Sequence, residues 1–168
     1  GQKTGAYLDQ SENHAAAARY MRDRRVLDVC TYAGGFALAA AKLGGAREVI
    51  GVDSSAKAIE MAENHARRNN LKNVWFEAGQ CFDVLQAYRD AGEQFDAIVL
   101  DPPRFAGSRR EIDKALRAYH RLNRLAVDLL PPGGILVTCS CSGHVTREDF
   151  QFMLSGVAQK TGRDIQIL

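Results

Sequence analysis

This sequence has no apolar stretch long enough to cross a membrane, no signal-peptide pattern at its start, and almost no net charge. With 22 basic and 20 acidic residues the formal charge is +2, too small to argue a nucleic-acid partner from overall charge. Cysteine is scarce: Cys30, Cys81, Cys139 and Cys141 lie at or beside expected strand ends, not in the spacing of a disulfide framework. That pattern points to a reducing, cytoplasmic setting. Cys139 and Cys141 with His144 make at most half a zinc set, no second pair completes it, and no metal is expected. The turn Gly-x-Gly-x-x-Gly is missing, which argues against a nicotinamide dehydrogenase. No methionine precedes Gly1-Gln2-Lys3, so processing or excision from a longer protein is expected.

What is present is a steady alternation of strand and helix patterns. At 168 residues and 46% hydrophobic content the chain can bury one core, so residues 1–168 are read as one domain. Strands are expected at Arg25–Val29, Glu48–Val52, Val74–Glu77, Phe95–Leu100 and Gly134–Thr138, with a weaker pattern at Asp164–Leu168. Helices are expected at Ala37–Leu43, Ser54–Asn69, Glu111–Leu130 and Asp149–Lys160, and within Gly1–Arg22. Such alternation predicts an α/β fold, a Rossmann-like doubly wound sheet that is mostly parallel and covered on both sides.

Two regions carry candidate chemistry at strand ends. After the first strand, Asp28-Val29-Cys30-Thr31-Tyr32-Ala33-Gly34-Gly35-Phe36 leads into a helix, and the second strand ends in Asp53. A glycine pair lets backbone approach a ligand, the helix start favours a carboxylate or phosphate, and Asp53 suits ribose hydroxyls. Without the pyrophosphate turn, S-adenosylmethionine is favoured over a dinucleotide, and Asp28 suits a cationic amine. Taken singly, Gly34-Gly35 is an ordinary tight turn and Asp53-Ser54 a helix cap. The other region pairs Asp101-Pro102-Pro103-Arg104-Phe105 with Thr138-Cys139-Ser140-Cys141-Ser142-Gly143, the latter closing what reads as a buried strand at Ile135-Leu136-Val137. An acid and a thiol at neighbouring strand tips suit covalent attack on an electron-poor ring. Residues two apart share a strand face, so the pattern leaves Cys139 and Cys141 unseparated.

The string Lys3-Thr4-Gly5-Ala6-Tyr7-Leu8-Asp9-Gln10, the Tyr32–Phe36 loop, the Asp101–Phe105 motif and Cys139-Ser140-Cys141-Ser142-Gly143 together resemble class I S-adenosylmethionine-dependent methyltransferases. Within that class they resemble the subgroup that makes 5-methylcytosine in large-subunit ribosomal RNA. The resemblance implies S-adenosylmethionine as cofactor, held by Asp28, Tyr32, Gly34, Gly35, Phe36, Asp53 and Ser54, with Asp101 near its sulfonium. Gln80 and Cys81, just before Phe82, border the adenine by the same resemblance; many relatives carry aspartate where this chain has Gln80. It further implies Cys141 as nucleophile, Asp101 as ring contact, and an RNA-binding domain outside this chain. The last antiparallel strand usual in the family is not found in the sequence.

A thiolate at carbon 6 of cytosine makes carbon 5 nucleophilic, and loss of the carbon-5 proton then releases the enzyme. The base that takes that proton is left open, because the acidic motif is Asp-Pro-Pro. Two other readings stand beside this one: methylation of a base nitrogen through Asp-Pro-Pro, and a cofactor-fold RNA module without catalysis. Arg104, Arg109, Arg110, Lys114, Arg117, Arg121 and Arg124 either guide RNA or form a solvated helix face. Phe105 is either a base platform or a loop anchor. His14, His65, His120 and His144 read as surface or structural residues, and the oligomeric state is left open.

Overall fold

The structure is a computed structural model in which residues 10–168 are described; the Lys3–Gln10 string lies, but for Gln10, outside the described residues. Helix α1 (Ser11–Ala18) leads into β1 (Arg25–Val29), α2 (Gly35–Lys42), β2 (Glu48–Asp53), α3 (Ala56–Arg68) and β3 (Val74–Ala78). Then follow α4 (Cys81–Asp90), β4 (Ala97–Leu100), α5 (Ile112–Asp128), β5 (Ile135–Thr138) and α6 (Arg147–Thr161). The strands form one sheet in the order β3-β2-β1-β4-β5, and every pairing is parallel.

Period-two alternation splits the core between the two faces of the sheet. Leu27, Val29, Ile98 and Leu100 pack with Leu85 of α4 and Leu122, Leu125 and Ala126 of α5. Val26, Ala97 and Val99 face the other way, onto Ala17 of α1 and Phe36, Ala37 and Ala40 of α2. Three helix starts are capped by different means: α2 by left-handed Gly34, α3 by the Ser55 hydroxyl, and α6 by a Thr146–Asp149 capping box.

Several expectations need correction. The strand ending in the cysteine motif is half-buried along its length, whereas β4 is buried at all four positions. Among the described residues β5 has only β4 beside it, which explains the difference. Residues Asp164–Leu168 form no strand, and Ile165, Ile167 and Leu168 are exposed. Gly162 ends α6 in a left-handed turn, and the Arg163 guanidinium ties the chain to the carbonyls of Leu130 and Pro131 at 2.9 and 3.0 Å. That tether sits at the turn before β5, away from the open ladder edge. Helix α4 had no expected range of its own, because Leu85 is its one buried residue and the apolar stripe is thin.

Candidate active site

Strand order reverses beside β1: the chain moves outward through β2 and β3, then returns to place β4 on the other side. The crevice at the carboxyl ends of β1 and β4 is therefore the switch point where open α/β sheets bind ligands. Register sharpens this, since Val29 lies opposite both Val52 and Leu100, and Leu100 opposite Thr138. The residues that follow, Cys30, Asp53, Asp101 and Cys139, form one row at the carboxyl edge of the sheet.

On one side of the crevice the glycine loop is held by two carboxylates. Asp28 lies on the α2 face of β1, fully buried, and its Oδ2 accepts from Thr31 Oγ1 at 2.5 Å and Ala37 N at 2.9 Å. Its Oδ1 is buried without a hydrogen-bond partner. Asp53 accepts from Tyr32 N through Oδ2 and from Ser55 N through Oδ1, both at 2.9 Å. These bonds hold Tyr32, at φ 50°, in a conformation that L-residues rarely adopt. Ser55 rather than Ser54 caps α3, accepting from Ala58 N at 3.3 Å, and Ser54 is exposed.

The two glycines answer different needs. Gly34 takes φ 87°, the left-handed turn that starts α2. Gly35 yields space: a Cβ there would sit 2.5 Å from Cε1 of His14, whose ring meets Phe36 edge-on at 4.4 Å. Burial holds the His14 imidazole below its ordinary pKa. On the other flank, His65 Nδ1 donates to Ala33 O at 3.0 Å. Both histidines thus touch the glycine loop, a role that no sequence spacing announced. Phe36 itself is buried among core residues. Gln80 is exposed at the start of α4 without a side-chain cap, and Cys81 is half-buried.

On the other side the geometry brings Cys141 and Asp101 together, with Sγ donating to Oδ1 at 3.8 Å. Strand β5 ends at Thr138, so the two cysteines do not share a strand face. Cys139 packs against the core, its backbone N still bound to Leu100 O at 2.9 Å, while Cys141 is exposed. Burial first, then the carboxylate of Asp101, push the Cys139 thiol up to about 12. The intervening loop hangs on Tyr119 of α5, fully buried: its hydroxyl accepts from Ser140 Oγ at 3.1 Å and contacts Ser142 Oγ at 3.2 Å. Ser142 Oγ also accepts from Ala106 N at 3.2 Å, joining this loop to the one after Asp101. Sequence periodicity placed Tyr119 on the core face of its helix; its hydroxyl role is visible only in three dimensions. Phe105 lies between the rings of Phe82 at 6.5 Å and Tyr119 at 4.8 Å, as a loop anchor does. Arg121 covers Phe82 at 4.8 Å, and Arg104, Arg109, Arg110, Lys114 and Arg117 are exposed.

This is a Rossmann-like α/β domain whose ligand crevice is edged by a glycine loop and by a paired acid and thiol. The chain belongs to the methyltransferase domain family, whose model matches residues 21–165. It is 49% identical to the protein named ribosomal RNA large subunit methyltransferase I of Tolumonas auensis, and 44% identical to that of Cronobacter sakazakii. Both alignments cover 100% of this chain and 43% of the relative, so the chain spans less than half the length of these curated relatives. Among solved structures, SMU.776 complexed with SAH superposes with a TM-score of 0.80 at 23% identity, covering 96% of this chain and 42% of that one. NSun6 from Pyrococcus horikoshii with SFG gives 0.69 at 23% identity, covering 87% of this chain and 40% of that one. At these identities the structural likenesses bear on the fold alone. No helix among the described residues is long and apolar enough to cross a membrane.

Burial raises the Asp28 carboxyl from its ordinary 3.8 to about 7, with Asp101 and Asp53 adding to the effect. The folded chain therefore binds a proton here that the unfolded chain has lost, and stability falls as pH rises from about 3.8 to about 7. Asp28→Asn keeps an acceptor for Thr31 and removes the charge, so its stability relative to wild type should be higher at pH 8 than at pH 5. Urea unfolding of both ligand-free proteins at the two pH values checks this; a constant difference would show that Asp28 does not titrate in that window. Tyr119→Phe should cost about 1–2 kcal/mol in the same assay. It should also speed alkylation of Cys141, and an unchanged rate would show that the hydroxyl does not hold the loop.

Proposed function

We propose that this chain is the catalytic core of an S-adenosylmethionine-dependent RNA methyltransferase that forms 5-methylcytosine in large-subunit ribosomal RNA through Cys141. The contact between Cys141 and Asp101 at the switch point carries the reading. The names of the relatives support an RNA substrate, and the exposed arginines beside the crevice suit its phosphates. The proposal places a dedicated RNA-recognising domain outside these residues.

The crevice fits the cofactor. Asp28 Oδ1, buried and without a partner, suits its ammonium, the amides at the start of α2 suit its carboxylate, and Asp53 retains lone pairs for ribose hydroxyls. Tyr32, Gly34, Gly35, Phe36 and Ser54 shape that wall, and Gln80 and Cys81 border the adenine. When bound, the cofactor supplies an electrophilic methyl group on a sulfonium.

Cys141 is exposed and therefore reachable by a base, while Cys139 is half-buried and holds its proton. Asp101 takes the Cys141 proton as the sulfur bonds to carbon 6 of the cytosine. The same carboxyl then passes that proton to ring N3, which draws electrons away from carbon 6 and leaves carbon 5 nucleophilic. After the methyl group is in place, removal of the carbon-5 proton to solvent re-forms the ring double bond and breaks the sulfur–carbon bond, and the N3 proton returns through Asp101 to the departing Cys141 thiolate. Tyr119 acts through the loop, holding Ser140 and Ser142 on either side of the nucleophile.

Cys141→Ala should abolish turnover on ribosomal RNA and leave affinity for S-adenosylhomocysteine within about twofold, since the thiol meets the base rather than the cofactor. Cys139→Ala should keep most activity and lose about 1 kcal/mol of stability. RNA carrying 5-fluorocytosine should trap a covalent adduct in wild type and none in Cys141→Ala. An adduct lost with Cys139→Ala instead would reassign the nucleophile. Full activity in both variants would transfer the chemistry to amine methylation guided by Asp101.

A further inference from the structure

Among the basic residues that follow the acidic motif, Arg104 is the one whose guanidinium reaches the loop of the nucleophile: its Nε donates to the Cys141 carbonyl at 3.4 Å. Two further links run beside it, Cys141 Sγ to Asp101 Oδ1 at 3.8 Å and Ala106 N to Ser142 Oγ at 3.2 Å, so the loops after β4 and β5 are joined at three points. Pro102 and Pro103 fix φ in the backbone before Arg104, and Phe105 after it is anchored between Phe82 and Tyr119. Arg104 is thus held by its neighbours on both sides, while its own side chain is exposed. Among the described residues it forms no ion pair, unlike Arg25, Arg47 and Arg89. Glu111, the next acid in the chain, is taken up by the Gly107 amide and the Ser108 hydroxyl at 2.9 and 3.2 Å. With Nε on the carbonyl, Nη1 and Nη2 make no hydrogen bond among the described residues and leave a two-pronged donor beside Cys141.

We propose that Arg104 holds the 5′-phosphate of the target nucleotide and thereby sets the cytosine ring against Cys141. This deepens, and rests on, the reading under Proposed function. Carbon 6, where the thiolate attacks, adjoins N1, the atom that carries the ribose. In the ordinary anti conformation of a pyrimidine nucleotide carbon 6 faces the 5′ oxygen, so the 5′-phosphate lies on the edge of the base that the sulfur must reach. A donor bonded to the backbone of the nucleophile is placed on that same edge. Guanidinium suits a phosphate there, because its fork gives two parallel N–H···O bonds and its charge does not titrate away. One group then engages both partners: Nε fixes the Cys141 backbone, and the Nη pair fixes the phosphate. Arg109, Arg110, Lys114 and Arg117 are exposed too, yet they bond no atom of the cysteine loop among the described residues. Their contribution is general attraction along the RNA chain, whereas Arg104 sets the position of one nucleotide.

The chain, with S-adenosylhomocysteine present, is treated with iodoacetamide in the presence of cytidine, cytidine 3′-phosphate or cytidine 5′-phosphate, and alkylation of Cys141 is followed by mass spectrometry. Each variant is compared with itself in the absence of these ligands. Wild type should be half-protected by the 5′-phosphate at a concentration about tenfold or more below that of cytidine, with the 3′-phosphate close to cytidine. Arg104→Gln should bring the 5′-phosphate to the cytidine value and leave cytidine itself unchanged. Arg104→Lys, which keeps the charge without the fork, should recover at most part of the gap. Equal protection by all three ligands in wild type, a preference for the 3′-phosphate, or a gap that survives Arg104→Gln would overturn the proposal. So would an equal loss for all three ligands in that variant, the mark of a displaced loop. The phosphorus resonance of the 5′-phosphate is read in parallel. If no ligand protects Cys141, a shift of that resonance that Arg104→Gln removes would keep the phosphate site and sink the reading that sets cytosine over Cys141; no shift would sink both.

Discussion

Parallel pairing of β1 with both its neighbours is the constraint on which the site depends. Because Val29 is level with Val52 and Leu100, the acids Asp53 and Asp101 fall beside Cys30 at the carboxyl edge of the sheet, and Cys139 falls beside Asp101. A slip of one residue would exchange the two faces of a strand. In β1 it would carry Asp28 from the α2 side to the apolar cluster of Leu85 and Leu125, where no helix amide awaits it. The buried alternation of β1 and β4 makes such a slip costly, so the core that stabilises the domain also sets the position of its chemistry.

Three carboxylates converge on this row, and each is handled differently. Asp53 spends its charge on two backbone amides, Asp101 accepts from a thiol, and Asp28 is buried with one oxygen unsatisfied. Their mutual repulsion adds to desolvation in raising the Asp28 carboxyl. A ligand that brings positive charge would relieve both costs, so the ligand-free crevice holds a destabilised arrangement that binding can repay. This is where a site departs from what packing alone would select.

Loops over the crevice are fixed by single polar contacts reaching out of the helices. The Tyr119 hydroxyl serves Ser140 and Ser142, and His65 serves the Ala33 carbonyl. His14 acts by shape, filling the place where Gly35 lacks a side chain. The scaffold therefore determines two things at once: which cysteine faces outward, and how closely backbone can approach a ligand.

Much of this was legible in the sequence. The five strands, the helix after the glycine pair, and the placement of Asp28, Asp53, Asp101 and Cys141 at strand ends follow from hydrophobic period and turn residues, which are local properties. The tail at Asp164–Leu168 was misjudged because a strand needs a partner in reach, and Arg163 holds this segment elsewhere. Helix α4 was passed over because a helix resting on one buried leucine has little pattern to read. Cys139 and Cys141 became distinguishable only when β5 was seen to end at Thr138. Periodicity alone thus settled which residues lie at the strand tips. Tertiary structure decided which of them touch and which are buried, because contact and desolvation depend on elements that meet across the fold.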